Sequence, residues 1–100
     1  MRLRWAARAR RDLLAIAGYI ASDDPVAARR WVDRLRARAR AAARRPLAGR
    51  VVPEFQRTNI REVLVGNYRA VYRVRPKEIH VLTVFEGHRL LRAEDLTEPE

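Results

Sequence analysis

The sequence predicts an α+β domain in which an N-terminal strand and a two-helix hairpin pack on a three- to four-stranded antiparallel sheet, in the order β-α-α-β-β-β. Two patterns and the chain length support this prediction. Residues 6–45 repeat apolar side chains every three or four positions, and residues 60–85 hold three β-patterned stretches joined by tight turns. One hundred residues suffice for a single modest core, so we expect one domain over residues 1–100.

The first helix is predicted to follow a short strand. Residues 2–5 alternate polar and apolar side chains, as a strand does, and from Ala6 to Ile20 the apolar positions fall on one helical face. Arg8 and Asp12 stand four residues apart on another face of that helix. This spacing allows an ion pair, which adds only ~0.2–0.5 kcal/mol to a helix.

The second helix is predicted to run from Pro25 to about Arg45. Asp24 precedes it as a side-chain cap, and proline fits the first helical position because its missing N–H has no helical partner there. Pro46 and Gly49 end the helix. The short connection between the helices predicts an antiparallel αα-hairpin. The buried stripe of the second helix contains Ala28, Trp31, Val32, Leu35, Ala39 and Ala42.

Three strands are predicted at Ile60–Val65, Tyr68–Val74 and Ile79–Phe85. Gly66-Asn67 accepts the positive φ angles of a hairpin turn, and Pro76 ends the second strand because proline cannot donate to a ladder. Alternation along the second strand places Tyr68, Ala70, Tyr72 and Val74 on one face and Arg69, Val71, Arg73 and Arg75 on the other. Along the third strand it places Ile79, Val81 and Phe85 on one face and Leu82 and Val84 on the other.

The helical hairpin covers only one face of such a sheet. The sequence leaves few residues for the other face, so we expect an exposed apolar patch there, and patches of that kind mark interaction sites. The residues expected without an internal cover are Val63, Val65, Val71, Leu82 and Val84.

The charge is strongly positive, because 22 Lys+Arg residues stand against 12 Asp+Glu and give a net charge of +10. Such a field attracts polyanions or an acidic protein partner. Lys77 is the only lysine, so genome composition is a second explanation for the arginine excess. A basic DNA- or RNA-binding module is therefore a hypothesis that rests on charge alone.

The residue types that are missing exclude several classes of site. There is no cysteine, which excludes disulfides and thiolate chemistry, and His80 and His88 cannot build a zinc site by themselves. We therefore expect neither metal nor cofactor. The apolar run at 15–21 is too short for a membrane span or a signal peptide, so we expect a cytoplasmic protein with no membrane contact.

Five further stretches carry a resemblance to a known family. They are A-x-x-D-L-x-x-I-x-x-Y-I ending at Ile20, D-x-P-x-A-A-R-R-W-V ending at Val32, P-L-A-G-R at 46–50, R-E-V-L-V-G-N-Y-R-A-V-Y-R-V at 61–74 and V-F-E-G-H-R at 84–89. With the strand at 2–5 they cover nearly the whole chain. The sequence resembles the RelE/ParE superfamily of toxins from bacterial toxin–antitoxin systems, and its ParE branch most closely.

The resemblance implies a helical hairpin on an antiparallel sheet and a partner encoded beside the toxin. That partner is a ParD-like antitoxin, expected in a heterotetramer or larger assembly. ParE-type members inhibit DNA gyrase, whereas RelE-type members cut messenger RNA on the ribosome. Neither branch implies direct sequence-specific DNA binding by the toxin.

The two branches differ in their site residues. The ribonucleases carry phosphate-binding arginines at the positions of Arg69 and Arg89, and His88 is a candidate proton donor beside them. They also carry lysines where this chain has 62–65 (E-V-L-V) and a tyrosine where it has 92–96 (R-A-E-D-L). These departures favour a non-catalytic gyrase inhibitor, with a RelE-like ribosome-dependent endoribonuclease as the alternative. The candidate target-binding residues are Arg69, Arg73, His88 and Arg89, and the competing interpretation is a solvated polar face.

The candidate antitoxin-binding residues combine the apolar sheet face with the basic second helix. They are Val63, Val65, Val71, Leu82, Val84, Arg36 and Arg40. The end of the chain is acidic, and we expect a frayed terminus carrying Glu94, Asp95, Glu98 and Glu100.

Overall fold

The computed structural model describes residues 1–96 and contains two helices on one five-stranded sheet. The elements are β1 (Arg2–Trp5), α1 (Ala7–Ala21), α2 (Pro25–Arg44), β2 (Arg50–Val51), β3 (Ile60–Val65), β4 (Tyr68–Val74) and β5 (Glu78–Glu86). Short 3₁₀ helices lie at Pro46–Ala48 and Ala93–Leu96. The α+β class and the order of the main elements are confirmed.

The sheet is larger and more mixed than predicted, with strand order β1-β5-β4-β3-β2. β1 pairs in parallel with β5, where Leu3 faces Ile79, and β2 pairs antiparallel with β3, where Arg50 faces Glu62. Parallel pairing between the two ends of a chain has no local sequence signal, because it depends on the long connection between the strands. β2 has two residues, which is too short for a visible alternation.

The helical hairpin has the predicted boundary. Asp24 Oδ1 accepts hydrogen bonds from the N–H groups of Val26 at 3.0 Å and Ala27 at 3.1 Å, and Pro25 is the first helical residue. The predicted pair between Arg8 and Asp12 is replaced by longer-range contacts. Arg8 binds a carboxylate near the C-terminus and Asp12 binds β5.

The first core lies between the helices and the sheet. It includes Trp31 and Leu35 of α2 and the alternate residues of β4 that were predicted to face one way. Val65 and Val84 are buried in this core, and Val63 packs against it. These three valines therefore have a cover inside the chain, and the prediction that they are exposed is wrong.

A second core occupies the opposite face of the sheet. Val71 and Leu82 are fully buried there, beneath the loop that follows β2 and the segment that follows β5. The prediction of an uncovered sheet face is wrong because both segments fold back over the strands. The core residues are Val52, Ile60, Val71, Leu82, Phe85, Leu91 and Leu96, with Phe55 packed against them.

A β-bulge changes the facing of β5. Val71 pairs with Thr83 but the next residue, Tyr72, pairs with Val81, so Leu82 is an extra residue on β5. Beyond the bulge the alternation is shifted by one position. Val84 consequently packs in the first core and Phe85 in the second, which is the reverse of the prediction.

The acidic end of the chain is partly ordered. Glu94 and Asp95 belong to the second 3₁₀ helix, and Asp95 is buried, so the prediction of a frayed terminus is wrong at these two positions. Glu98 and Glu100 lie outside the described residues.

Candidate functional site

Arg69 lies in a buried group of charged side chains, here named the Arg69 cluster and formed by Arg69, Glu54 and Glu62. The β3–β4 register places Leu64 opposite Arg69 and Glu62 opposite Val71, so Glu62 and Arg69 are diagonal neighbours on one sheet face. Arg69 Nε donates to Glu62 Oε1 at 2.6 Å. Its Nη1 and Nη2 donate to the two Glu54 oxygens at 2.7 and 2.8 Å, a bidentate pair.

Arg69 and Glu62 of the Arg69 cluster are buried, Glu54 is partly exposed, and the charges are locally neutralised. Arg69 is 4% exposed and Glu62 is 1% exposed. A fourth bond runs from Arg69 Nη1 to the Arg89 carbonyl at 3.1 Å, so four of the five guanidinium N–H groups are engaged. Arg50 pairs with the second oxygen of Glu62 from the solvent side. The arrangement satisfies buried charges, which are costly without partners.

The contact between Arg69 and Glu54 favours the charged form of both side chains. The hydrogen bond from Arg69 is the main cause that lowers the pKa of Glu54 from 4.5 to about 2, and the Leu91 N–H adds to it. The pKa of Arg69 is raised above its ordinary value, chiefly by its hydrogen bonds with Glu54 and then Glu62. The pair therefore stays charged throughout the physiological pH range.

Arg89 lies beside the Arg69 cluster. Its guanidinium stacks over the Phe85 ring at 4.6 Å from the centroid, and Arg69 approaches the same ring at 5.1 Å. Arg89 Nη2 also lies 3.1 Å from Asp95 Oδ1, and Arg8 Nη2 forms a salt bridge with the same oxygen at 2.8 Å. The structure thus brings the two predicted arginines together, with each one bound to carboxylates of the chain.

The other two predicted target-binding residues lie apart from this pair. His88 is largely exposed, with Nε2 at 3.1 Å from Glu86 Oε2, and it lines an open cleft of about 370 Å³ that Arg69 also borders. Arg73 is partly buried and its Nη2 lies 3.5 Å from the Leu96 carbonyl. Burial is the main cause that lowers the pKa of Arg73.

Three carboxylates of this region were missed by the sequence analysis: Glu54, Glu62 and Asp95. The sequence did contain a signal for Glu62, because Glu62 and Arg61 are the only polar residues of a strand that is otherwise apolar. A carboxylate at such a position requires a cationic partner when the strand is buried. No comparable pattern marks Glu54 or Asp95, which lie outside the strands.

The helical hairpin presents a different kind of surface, here named the hairpin surface and defined by Leu14 and the groove between α1 and α2 that Leu14 lines. Leu14 is 69% exposed. Tyr19 and Val26 are exposed apolar residues of the hairpin outside this groove, and Tyr19 lines a separate cleft. The groove measures about 540 Å³ and its floor contains small residues such as Gly18 and Ala28. An exposed apolar surface of this kind is typical of a protein-binding site.

The predicted antitoxin-binding arginines border the hairpin surface. Arg36 is exposed and lines the groove between the helices, and Arg40 is exposed one turn further along α2. Their part in binding remains a prediction.

Within residues 1–96, no helix has the length and hydrophobicity needed to cross a membrane. The same part of the chain contains no group of three His, Cys, Asp or Glu residues arranged to hold a metal ion.

Comparison with known proteins agrees with the fold. Residues 3–91 match a family model described as the ParE toxin of the type II toxin–antitoxin system parDE. A Sinorhizobium fredii protein named "Putative toxin Y4kP" is 36% identical over 90 residues, which cover 88% of this chain and 90% of that protein. A structure described as "Chromosomal ParDE TA system from P. aeruginosa" has a TM-score of 0.70 at 25% identity, covering 86% of this chain and 95% of that one.

The helical hairpin, the sheet and these likenesses define a toxin domain of the RelE/ParE type. Within that class, the chain belongs to the ParE family of toxins from type II toxin–antitoxin systems. The family resemblance found in the sequence is confirmed.

Proposed function

We propose that this protein inhibits DNA gyrase by binding it, without cleaving a substrate, and that a ParD-like antitoxin neutralises it in the cytoplasm. Membership of the ParE family supports the proposal. The observation that carries it is the engagement of Arg69 by Glu54 and Glu62. A ribonuclease of this superfamily needs that arginine free to hold a phosphate.

The Arg69 cluster makes phosphate binding costly. To reach a phosphate, the guanidinium would have to leave two carboxylates and expose or abandon Glu62, which is 1% exposed. Breaking a buried ion pair costs about 3–5 kcal/mol, since the remaining charge loses its partner. A developing negative charge on a phosphate would also be repelled by the same two carboxylates.

The test is a supercoiling assay with purified gyrase and the full-length toxin. We expect loss of supercoiling at micromolar toxin, with a heat-denatured sample as the inactive control. Full supercoiling activity at that concentration would contradict the proposal. A parallel translating extract tests the alternative, because a RelE-like enzyme would leave cleaved messenger RNA and lose cutting in Arg89→Ala.

The hairpin surface is the proposed docking site for the antitoxin. Its exposed apolar residues suit an amphipathic segment, and the bordering Arg36 and Arg40 suit acidic side chains on that segment. Val65, Val71 and Val84 of the sheet are buried in the two cores and Val63 is half-buried, so these valines offer the antitoxin little exposed surface.

A pair of matched variants tests this docking site. Leu14→Asp places a charge in the hairpin surface, whereas Leu90→Asp places it at an equally exposed leucine after β5. We expect Leu14→Asp to weaken capture of the co-expressed neighbouring antitoxin at least tenfold, and Leu90→Asp to leave it unchanged. Equal capture by both variants would place the antitoxin elsewhere.

A further inference from the structure

The solvent side of α2 concentrates the positive charge of the chain. Between Pro25 and Arg44 the helix holds seven arginines and one aspartate, Asp33, so it carries six of the ten net positive charges. All seven arginines are exposed. They are Arg29, Arg30, Arg34, Arg36, Arg38, Arg40 and Arg44.

These arginines differ from those elsewhere in the fold. Arg4, Arg8, Arg50, Arg69 and Arg89 each bind a carboxylate. In the part of the chain that the structure describes, no arginine of α2 forms a salt bridge. The side chains of α2 therefore keep their positive charge, whereas these five arginines elsewhere are paired with carboxylates.

The residues between the arginines indicate which class of ligand this side of α2 can bind. Ala37 and Ala41 separate them on the outward side, and Val26 at the start of the helix is its only large exposed apolar residue. The core of a protein interface needs apolar and aromatic contacts, which this side lacks. Single-strand binders need exposed aromatic rings for stacking, and the one aromatic of the helix, Trp31, is 5% exposed. Phosphate neutralisation is the interaction that the side chains can make.

The spacing suits a long, regular polyanion. Arg30, Arg34 and Arg38 recur every four residues and form a row along one side of the helix, roughly 12 Å from first to last. The whole helix is about 30 Å long. A nucleic-acid duplex such as B-DNA carries one charge per roughly 1.7 Å of its axis, so several phosphates lie within reach of such a row.

We propose that the arginine side of α2 binds the phosphodiester backbone of duplex nucleic acid without sequence preference. This binding does not depend on gyrase, and its row of Arg30, Arg34 and Arg38 lies off the groove of the hairpin surface, which Arg29 and Arg36 line. It adds an electrostatic contact through which the toxin concentrates on nucleic acid, and sequence-specific base recognition has no part in it.

The test measures binding of the full-length toxin to fluorescent 30-base-pair duplexes by anisotropy, over NaCl from about 50 to about 200 mM. Two DNA duplexes of unrelated sequence should bind within about twofold of one another. The variant Arg30→Ala/Arg34→Ala/Arg38→Ala should lose about 2.7 from the slope of log K against log salt, if each arginine neutralises one phosphate. The ratio of the binding constant of the unmodified toxin to that of this variant should then fall roughly 40-fold between the lowest and the highest salt concentration.

The control variant removes the same charge from other elements: Arg2→Ala/Arg11→Ala/Arg92→Ala. It should keep most of the salt slope, because these arginines are exposed but lie off α2. Alanine is the best helix former, so the α2 variant should keep its far-UV circular dichroism and melting temperature. The same measurement with an RNA duplex of equal length shows whether the toxin prefers DNA or RNA. The duplex that binds more tightly is the preferred ligand.

Three results would overturn the proposal. The first is equal loss of slope in both triple variants, which would mean diffuse attraction by net charge. The second is tighter binding of single-stranded DNA than of the duplex. The third is equal or tighter binding of poly-glutamate of matched length, which would make this side of α2 a site for an acidic protein segment.

Discussion

Asp12 Oδ2 accepts a hydrogen bond from the Thr83 hydroxyl at 2.7 Å and thereby joins α1 to β5 across the sequence. β1 pairs with β5 only as far as Val81, so the following residues of β5 have no strand on that side. The same Asp12 oxygen accepts from the Val84 N–H at 2.9 Å. One carboxylate therefore takes the place of a missing strand partner at this edge.

The first prediction concerns Asp12. Replacing it in Asp12→Ala leaves the Val84 N–H and the Thr83 hydroxyl without this acceptor, at a cost of about 1–3 kcal/mol in the free energy of unfolding. Urea denaturation measures the change. Asp23→Ala, at an exposed position between the helices, is the control and should change stability little. Equal stability of the two variants would mean that water replaces the carboxylate at no cost.

The second prediction concerns Arg69 and Glu62. Arg69→Met removes the buried cation that binds Glu54 and Glu62, leaves Glu62 with Arg50 as its remaining charged partner, and should lower the free energy of unfolding by about 3–5 kcal/mol. The double variant Arg69→Met/Glu62→Gln should be more stable than Arg69→Met alone, because it removes a buried charge that has lost one of its two cationic partners. Chemical denaturation compares them, with the exposed Arg30→Met as control. A double variant no more stable than the single one would contradict this account.

The third prediction concerns acid stability. The pKa of Glu54 is about 2 in the folded protein and 4.5 ordinarily, so the ionised form stabilises the fold. That contribution is complete above about pH 4.5 and is lost as the pH falls toward 2. The stability gap between the unmodified protein and Glu54→Gln should therefore be constant at neutral pH and close in acid. Asp33→Asn, which removes an exposed carboxylate outside the Arg69 cluster, is the control in the same pH series.

The fourth prediction concerns Gly49. A Cβ atom at this position would overlap the hydroxyl of Tyr72, which is buried and donates to the Pro46 carbonyl at 2.7 Å. Gly49→Ala should cost about 1–3 kcal/mol, the usual range for forced overpacking. Adding Tyr72→Phe should recover part of the loss. Gly18→Ala, where nothing lies within 4 Å, should instead raise the melting temperature because alanine favours a helix.

Periodicity predicted the helices and the three long strands, but it failed where a contact is not local. The side chains of β5 switch faces at Leu82 because a bulge adds one residue to the strand. The sequence near Leu82 has no turn residue that would indicate the bulge. β1 was expected in an antiparallel sheet, yet it lies parallel to β5. Both features depend on strands that meet only in the folded chain.

The sequence identified the arginines of the candidate site but did not predict the carboxylates that bind them. It identified Arg69 and Arg89, and the structure places both guanidinium groups against the same Phe85 ring. Their carboxylate partners come from three different places: Glu54 from the loop after β2, Glu62 from β3 and Asp95 from the C-terminal 3₁₀ helix. An arginine on a strand looks the same in a sequence whether it meets solvent or two carboxylates.

The pairing of β1 with β5 has a consequence for the order in which the protein folds. Residues 2–5 pair with residues 78–81, and both helices and two hairpin strands lie between these segments in the sequence. The C-terminal residues that complete the second core follow β5 in the sequence. Contacts of such long sequence separation form late, because the loop between them must close first. β1 therefore joins the sheet only after residues 78–81 are available for pairing, so this edge of the sheet forms late in folding.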